Sequence, residues 1–330
     1  MNQLTIASTL SLLAWVAVAA AQTVPPAEPL LNPQGETIVD PYLQLAQAPG
    51  FSGNAPLGAA TPRASDSVLP PGTRDGVFQK LNMSALWMPR LEDDNVGITG
   101  VDLDMVFGLP FPERETPLII TPAYRVKFLE GPDFTDLPSR LHDAEVDFHH
   151  FRKVSPNLLL DAAVTVGAYG DDSRLWDGVR VSGRGLGIYD HNNGWKSVLG
   201  VVYLNRAGYS VLPVAGFTYA MDDLKFDLLF PRPRIAWRTS CTCPDIDERW
   251  VYLQGEFGGN IWAVERAGGS DDKLAYRDLR VLIGAERKLV GGISRKWELG
   301  YVFAREIEYD SEGFASDLDD AFFLRAGLTY

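Results

Sequence analysis

Past its amino terminus the chain contains no apolar run approaching the roughly 20 residues that a membrane-spanning helix requires. If it sits in a bilayer it must cross as a closed β-barrel, because helices and closed barrels alone satisfy every backbone group in hydrocarbon. Basic residues are scarce as well. Lys and Arg number 30 against 43 Asp and Glu, a formal net charge of -13 over 330 residues. That balance excludes nucleic acid, whose phosphates call for a cationic surface, and disfavours simple adhesion to anionic lipid. Cysteine is limited to Cys241 and Cys243, a Cys-Thr-Cys triplet followed by Pro244 with no His nearby in sequence. A metal centre would lack ligands there. A local disulfide or two free thiols in a polar loop are the alternatives. The four histidines, His142, His149, His150 and His191, stand in no serine-hydrolase context such as Gly-x-Ser-x-Gly. Gly183-Arg184-Gly185-Leu186-Gly187 has the glycines of a phosphate loop without its strand-to-helix setting. Glycines on a strand mark bends or close approach of backbones instead. No cofactor is expected.

What the chain does have is period two. In its last eleven residues Phe322, Leu324, Ala326, Leu328 and Tyr330 alternate with Phe323, Arg325, Gly327 and Thr329. One face is apolar and ends in an aromatic residue, the form of the assembly signal of outer-membrane barrels, here Phe322, Leu324, Leu328 and Tyr330. Phe323 is the exception on the polar face. At the other end, Leu10 to Ala20 is an apolar core followed by Ala19-Ala20-Ala21, which predicts a signal peptide cleaved after Ala21. It departs from the pattern in lacking Lys or Arg before the core; a short membrane anchor is the alternative. Residues 22–76 are rich in Pro with no lasting period, the composition of a disordered leader. Ile38 to Leu43 is a candidate docking segment for a periplasmic partner.

From Val77 onward, alternating segments are separated by turn residues. Leu81, Met83, Ala85 and Trp87 share one face, as do Val101, Leu103, Met105 and Phe107. Ala144, Val146 and Phe148 oppose Asp143, Glu145, Asp147 and His149, and Trp297, Leu299, Tyr301 and Phe303 oppose Lys296, Glu298 and Gly300. Segments of 9 to 15 residues with charges on the polar face suit membrane strands better than a soluble sandwich. Trp and Tyr near segment ends suit interface girdles. Residues 77–330 are therefore expected to form a single antiparallel transmembrane β-barrel, all-β in class. Counting gives fifteen candidate strands, whereas such barrels have an even number. Treating Leu224 to Trp237 as one strand bent at Pro231-Arg232-Pro233 reduces the count to fourteen, with twelve or sixteen as alternatives. Leu91–Val96, Gly131–Arg140, Gly170–Gly178, Cys241–Glu248, Gly268–Leu274 and Asp310–Asp319 then read as outer loops. Lys153–Pro156, His191–Gly194, Met221–Asp223, Gly258–Asn260 and Leu289–Gly292 read as tight turns on the periplasmic side. The last strand should pair with Leu81–Trp87 and with Trp297–Phe303.

Residues 78–330 resemble an uncharacterised family of outer-membrane barrels known only as a domain of unknown function. The stretches that carry the likeness are Asp227 to Trp237, Trp250 to Trp262, Tyr276 to Arg280 and Gly300 to Glu306. The resemblance implies the barrel and the bacterial outer membrane, and brings no activity or catalytic residues with it.

The polar faces supply candidate lumen-lining residues: Asp102, Asp104, Arg125, Lys127, Asp143, Glu145, Asp147, Arg280, Glu298 and Arg325. Charges of both signs would set the selectivity of a passive channel or transporter for small solutes. The alternative is a structural or binding barrel with a lumen closed by paired charges. A barrel hydrolase using Asp147 and His149 as acid–base groups ranks third, since lumen charges ordinarily pair with each other. Asp171-Asp172, Asp222-Asp223, Asp271-Asp272 and Asp319-Asp320 lack Ca²⁺-loop spacing and read as solvated loop charges. The expected partners are outer-membrane lipid and the barrel-assembly machinery.

Overall fold

The computed structural model describes residues 76–330 apart from 93–94, 114–115, 133–134, 206–210, 243–246, 290–291 and 314. The expected signal peptide and the leader as far as residue 75 lie outside the described residues.

The described chain is an antiparallel meander. Its strands are β1 Phe78–Met88, β2 Gly97–Glu113, β3 Thr116–Glu130, β4 Arg140–Ser155, β5 Leu158–Gly170, β6 Arg180–Asp190, β7 Trp195–Tyr203 and β8 Val211–Ala220. There follow β9 Leu224–Phe230, β10 Arg234–Thr242, β11 Asp247–Glu265, β12 Asp271–Leu289, β13 Ser294–Tyr309, β14 Ala315–Leu318 and β15 Ala321–Thr329. Each strand pairs with the next, and β14 and β15 both pair with β13, forming one stave broken at Asp319-Asp320. The sheet closes where β15 pairs with β1, from Asn82↔Thr329 to Trp87↔Leu324. The result is a closed antiparallel barrel of fourteen strands. The last strand lies between β1 and β13, as its alternation predicts.

Alternation makes the wall two-sided. Outward residues are apolar and open: Leu199 is 71% exposed, Trp297 69% and Phe322 54%. Met83, Trp87, Phe128, Phe148, Val164, Phe217 and Leu328 continue that surface around the barrel. A contiguous apolar surface of this extent marks a membrane or interaction face. Inward positions carry most of the charges, and many are buried.

Fourteen is reached by a different route from the one the sequence suggested. Leu224–Trp237 is two strands joined at Pro231-Arg232-Pro233, with Asp227↔Arg234 and Leu224↔Trp237 paired. Proline carries no N–H for a ladder, so the pair ends the strands and forms the turn. Conversely, Gly258–Asn260 is not a turn. It lies within β11, which pairs without a break to β12 over nineteen residues. Gly259 has φ +103°, and a Cβ there would collide with the carbonyl of Tyr276; these glycines permit close approach. One strand too few and one too many had cancelled. The same correction moves the Cys241–Glu248 connection to the lower end, the end where Tyr330 lies, away from the outer loops. Cys241 is disulfide-bonded, which removes the free-thiol alternative; Cys243 lies outside the described residues.

The wall is uneven. β11 and β12 have nineteen residues each, while β9 has seven and β10 nine. Above this low side, β11 reaches across to β5. Ala263 bridges Gly170 in parallel, and the Asp171 N–H donates to the Ala263 carbonyl at 3.0 Å.

Candidate functional site: the barrel interior

The interior has three levels. At the upper mouth Met88, Val96, Ile98, Leu141, Trp262, Val264, Leu274 and Ile307 form one buried apolar cluster. Arg305, 1% exposed, holds it shut. Its guanidinium donates to the Val96 carbonyl at 2.6 Å, Asn95 Oδ1 at 2.7 Å and the Asp319 carbonyl at 2.8 Å. The β1–β2 connection and the break between β14 and β15 are thus pinned by one cation. Tyr309 adds a third, its hydroxyl donating to the Asp136 carbonyl at 2.7 Å, with Arg266 stacked on its ring.

The middle level is an ionic belt. Asp102, Arg125 and Asp143 lie side by side on β2, β3 and β4. Arg125 bonds Glu145 at 2.6 Å, and Lys127 bonds Asp143 at 2.5 Å. Across the barrel, Arg280 bonds Asp278 at 2.8 Å, and Arg325 donates to Glu256 at 3.0 and 3.2 Å and also to Glu298. Tyr252 donates to Glu298. Phe323, the sequence anomaly, points inward at 1% exposure, between Arg280 and Arg325, with its ring over Gly300. Gly300 leaves the space that ring occupies. A cavity of about 60 Å³, room for a few waters, lies between lid and belt, beside Asp102, Lys127, Arg280 and Arg325.

The lower level is divided. On the β1–β2 and β9–β13 side are Asn82, bonded to Asp104 at 2.6 Å, and Lys225 over the Trp250 ring. Glu286 accepts from Ser294 at 2.8 Å. On the β4–β9 side the inward face is apolar instead: Phe151, Leu159, Leu186, Ile188, Val198, Val214 and Leu229 form a second buried cluster. A barrel interior is ordinarily polar, so this face is a departure.

The ten residues expected at the lumen fall on six strands. Asp102, Asp104, Arg125, Lys127, Asp143, Glu145 and Asp147 occupy β2–β4, while Arg280, Glu298 and Arg325 occupy β12, β13 and β15. Asp147 accepts from Thr165 at 2.6 Å, and His149 is bonded to Asp161 at 2.6 Å with 1% exposure. Sequence reasoning missed Glu256, Asp278 and Arg305. Glu256 is the hub of three arginines, and its only signal was alternation within a segment read as ending at Gly258. The acidic doublets fasten loops: Asp171 accepts from the N–H groups of Arg174 and Glu265 at 2.8 and 2.7 Å. Asp272 accepts from Ser311 and from Arg266. No cluster of three or more metal-type ligands occurs among the described residues.

These features define a closed β-barrel of outer-membrane type with a packed, charge-paired interior. The chain belongs to the family described as a domain of unknown function, DUF6268, whose model matches residues 133–330. No curated protein matches. Among solved structures, it is similar to the Pseudomonas aeruginosa protein OccD3 (OpdP), at 8% identity and TM-score 0.30, over 78% of this chain and 91% of that one. It is also similar to the β domain of the Bordetella autotransporter BrkA, at 9% identity and TM-score 0.26, over 78% and 99%.

Proposed function

We propose that this protein is an integral bacterial outer-membrane barrel whose interior is closed at rest, a binding or gated barrel in preference to an open pore. The observation that carries the reading is the Arg305 lid, which ties Asn95, Val96 and Asp319 over an apolar cluster at the upper mouth. Below it, Arg325, Glu256, Glu298 and Arg280 pair with one another on the adjoining strands β11, β12, β13 and β15. The outward apolar surface supports the membrane placement, since such a face is stable in lipid and costly in water. Export by a signal peptide cleaved after Ala21 belongs to the same reading. So does insertion by the barrel-assembly machinery through Phe322, Leu324, Leu328 and Tyr330, with the leader holding a periplasmic partner.

Planar-bilayer recording tests the closed interior. The wild-type protein, inserted and heat-modifiable on gels, should give no steady current, and Arg305→Ala should give openings. Steady conductance from the wild-type protein would overturn the proposal. It would favour the second reading, a passive channel or transporter for small solutes. The cavity beside Asp102, Lys127, Arg280 and Arg325 supports that alternative, and selectivity should then change when those charges are neutralised.

A further inference from the structure

The chain as a whole is acidic, yet its outer wall carries a row of three cations near the lower end. The ladder pairs Arg249 of β11 with Arg287 of β12, and Arg287 with Arg295 of β13. Their chain neighbours Trp250, Glu286, Lys288, Ser294 and Lys296 are buried inward. Alternation therefore turns the three guanidinium groups outward, and all three arginines are exposed. Adjacent strands are about 4.8 Å apart, so the row covers about 10 Å of wall.

Like charges directly opposite each other on neighbouring strands are destabilising. One carboxylate relieves the row. Asp247 accepts from Arg287 Nε and Nη2 at 2.8 and 2.7 Å. That fork-to-fork pair uses the middle arginine only. Arg249 and Arg295, on either side of it, form no ion pair among the described residues. Two uncompensated cations call for an anion, and their surroundings say which. The rows directly above are apolar. Val251, Ala285 and Trp297 form the next row, and Leu253, Ile283 and Leu299 the one after. Trp297 is among the most open side chains of the wall, and Leu328 of β15 continues the arginine row itself. Cations and an exposed Trp bordering a hydrocarbon-matching surface are the pattern of a bilayer interface. The anion at that depth is a phospholipid phosphate, which the planar guanidinium fork matches with two parallel hydrogen bonds. A free phosphate ion would gain nothing from the apolar rows.

We propose that Arg249 and Arg295, flanking the Arg287–Asp247 pair, bind the phosphate of an anionic phospholipid in the periplasmic leaflet. Its acyl chains lie along Leu253, Ile283 and Leu299. The site rests on the membrane placement and is independent of whether the interior is closed.

Native mass spectrometry of the full chain released from neutral detergent micelles tests it. Phosphatidylglycerol is the probe, with phosphatidylcholine and inorganic phosphate as comparison arms. The wild-type protein should retain one phosphatidylglycerol in preference to phosphatidylcholine, and inorganic phosphate at the same concentration should not displace it. An arginine beside an anionic membrane surface is worth roughly fivefold in affinity. Arg249→Gln combined with Arg295→Gln should therefore lower the preference roughly 25-fold. Arg277→Gln, an outward arginine of the upper end, should leave it unchanged. Heat-dependent mobility checks that the double variant folds; either single substitution, expected at roughly fivefold, decides the matter if it does not. Urea unfolding gives a second readout, since phosphatidylglycerol should raise the midpoint of the wild-type protein and not that of the double variant. Equal retention of the two lipids by the wild-type protein, or an undiminished preference in the double variant, overturns the proposal. Displacement by inorganic phosphate, or an equal loss in Arg277→Gln, overturns it as well. A chain that is soluble without detergent and retains neither lipid would sink the membrane placement too, whereas equal retention sinks this site alone.

Discussion

Replacing Arg325 with methionine should destabilise the barrel more than loss of any exposed charge would. Arg325, Glu256 and Glu298 are 3%, 3% and 5% exposed. Removing one partner of a buried ion pair costs about 3–5 kcal/mol, because the remaining charge stays buried without compensation. The neighbours here reduce that cost unequally. Glu256 keeps Arg232 at 3.5 Å and Arg280 at 3.7 Å. Glu298 keeps the Tyr252 hydroxyl and its neighbour Lys296. The expected loss therefore falls at the lower end, about 3 kcal/mol. Urea unfolding in micelles, followed by tryptophan fluorescence with heat-dependent gel mobility as a second probe, measures it. Pairing Arg325→Met with Glu298→Gln should recover part of the loss, with a coupling of about 0.5–3 kcal/mol. A single-variant cost under about 1 kcal/mol, the range of exposed pairs, would refute the argument that the belt is desolvated. So would strict additivity in the double variant.

Other perturbations follow from the same geometry. Gly300→Ala places a methyl group in the ring of Phe323 and should cost about 1–3 kcal/mol by overpacking; combining it with Phe323→Leu should restore stability in the same urea assay. Tyr330→Asp puts a charge on the outward face of the closing strand, so the folded, heat-modifiable fraction in outer-membrane preparations should fall, and an unchanged fraction would remove Tyr330 from the assembly signal. At the upper rim, Asp172 is held below the usual carboxylate range, first by the hydrogen bond from His142 and then by Arg140. A carboxylate lowered on folding contributes stability above its ordinary range and loses it as pH falls through its lowered value. Protection factors of the amides in the 171–174 loop, corrected for the intrinsic slowing of exchange in acid, should therefore drop on acidification across that window, and Asp172→Asn should remove that drop.

Much of the fold was legible because β-barrels write themselves in period two. Phe322, Leu324 and Leu328 identified the closing strand, and its alternation gave the face and both partners. What failed was the distinction between a glycine that turns and a glycine that packs. Gly258, Gly259 and Asn260 have the composition of a tight turn, and nothing local reveals that Asp278 and Tyr276 occupy the space a side chain would need. Pro231-Arg232-Pro233 failed in the opposite sense, because bulge and hairpin both tolerate proline and only the ladder with Gln254 and Leu253 decides. The interior could be read as charged and its charges as paired, but not which charge meets which. Arg325 meets Glu256 across 69 residues and Arg305 meets Asn95 across 210. Contacts of that range are set by closure of the barrel.

The unequal wall connects these observations. A barrel built only to conduct gains nothing from an apolar inward face, since water and ions would have to pass Leu186, Val198, Val214 and Leu229. It also gains nothing from two nineteen-residue strands rising beside strands of seven and nine. Both features make sense if the tall side serves as a cover. β11 crosses to β5 at Ala263, and Arg180 seals the crossing by donating to the Ile261 carbonyl at 2.8 Å and to Asn260. Beneath that cover Leu186, Ile188, Val198, Val214 and Leu229 pack as one buried apolar cluster. Loosening the cover should therefore act on the crossing itself before it acts on conduction. Arg180→Met loosens the crossing and leaves the Arg305 lid in place, so the Asp171 amide bonded to Ala263 should lose protection from hydrogen exchange while the bilayer current stays at background. A current in that variant would mean that the β11 crossing, and not the Arg305 lid, guards a pore.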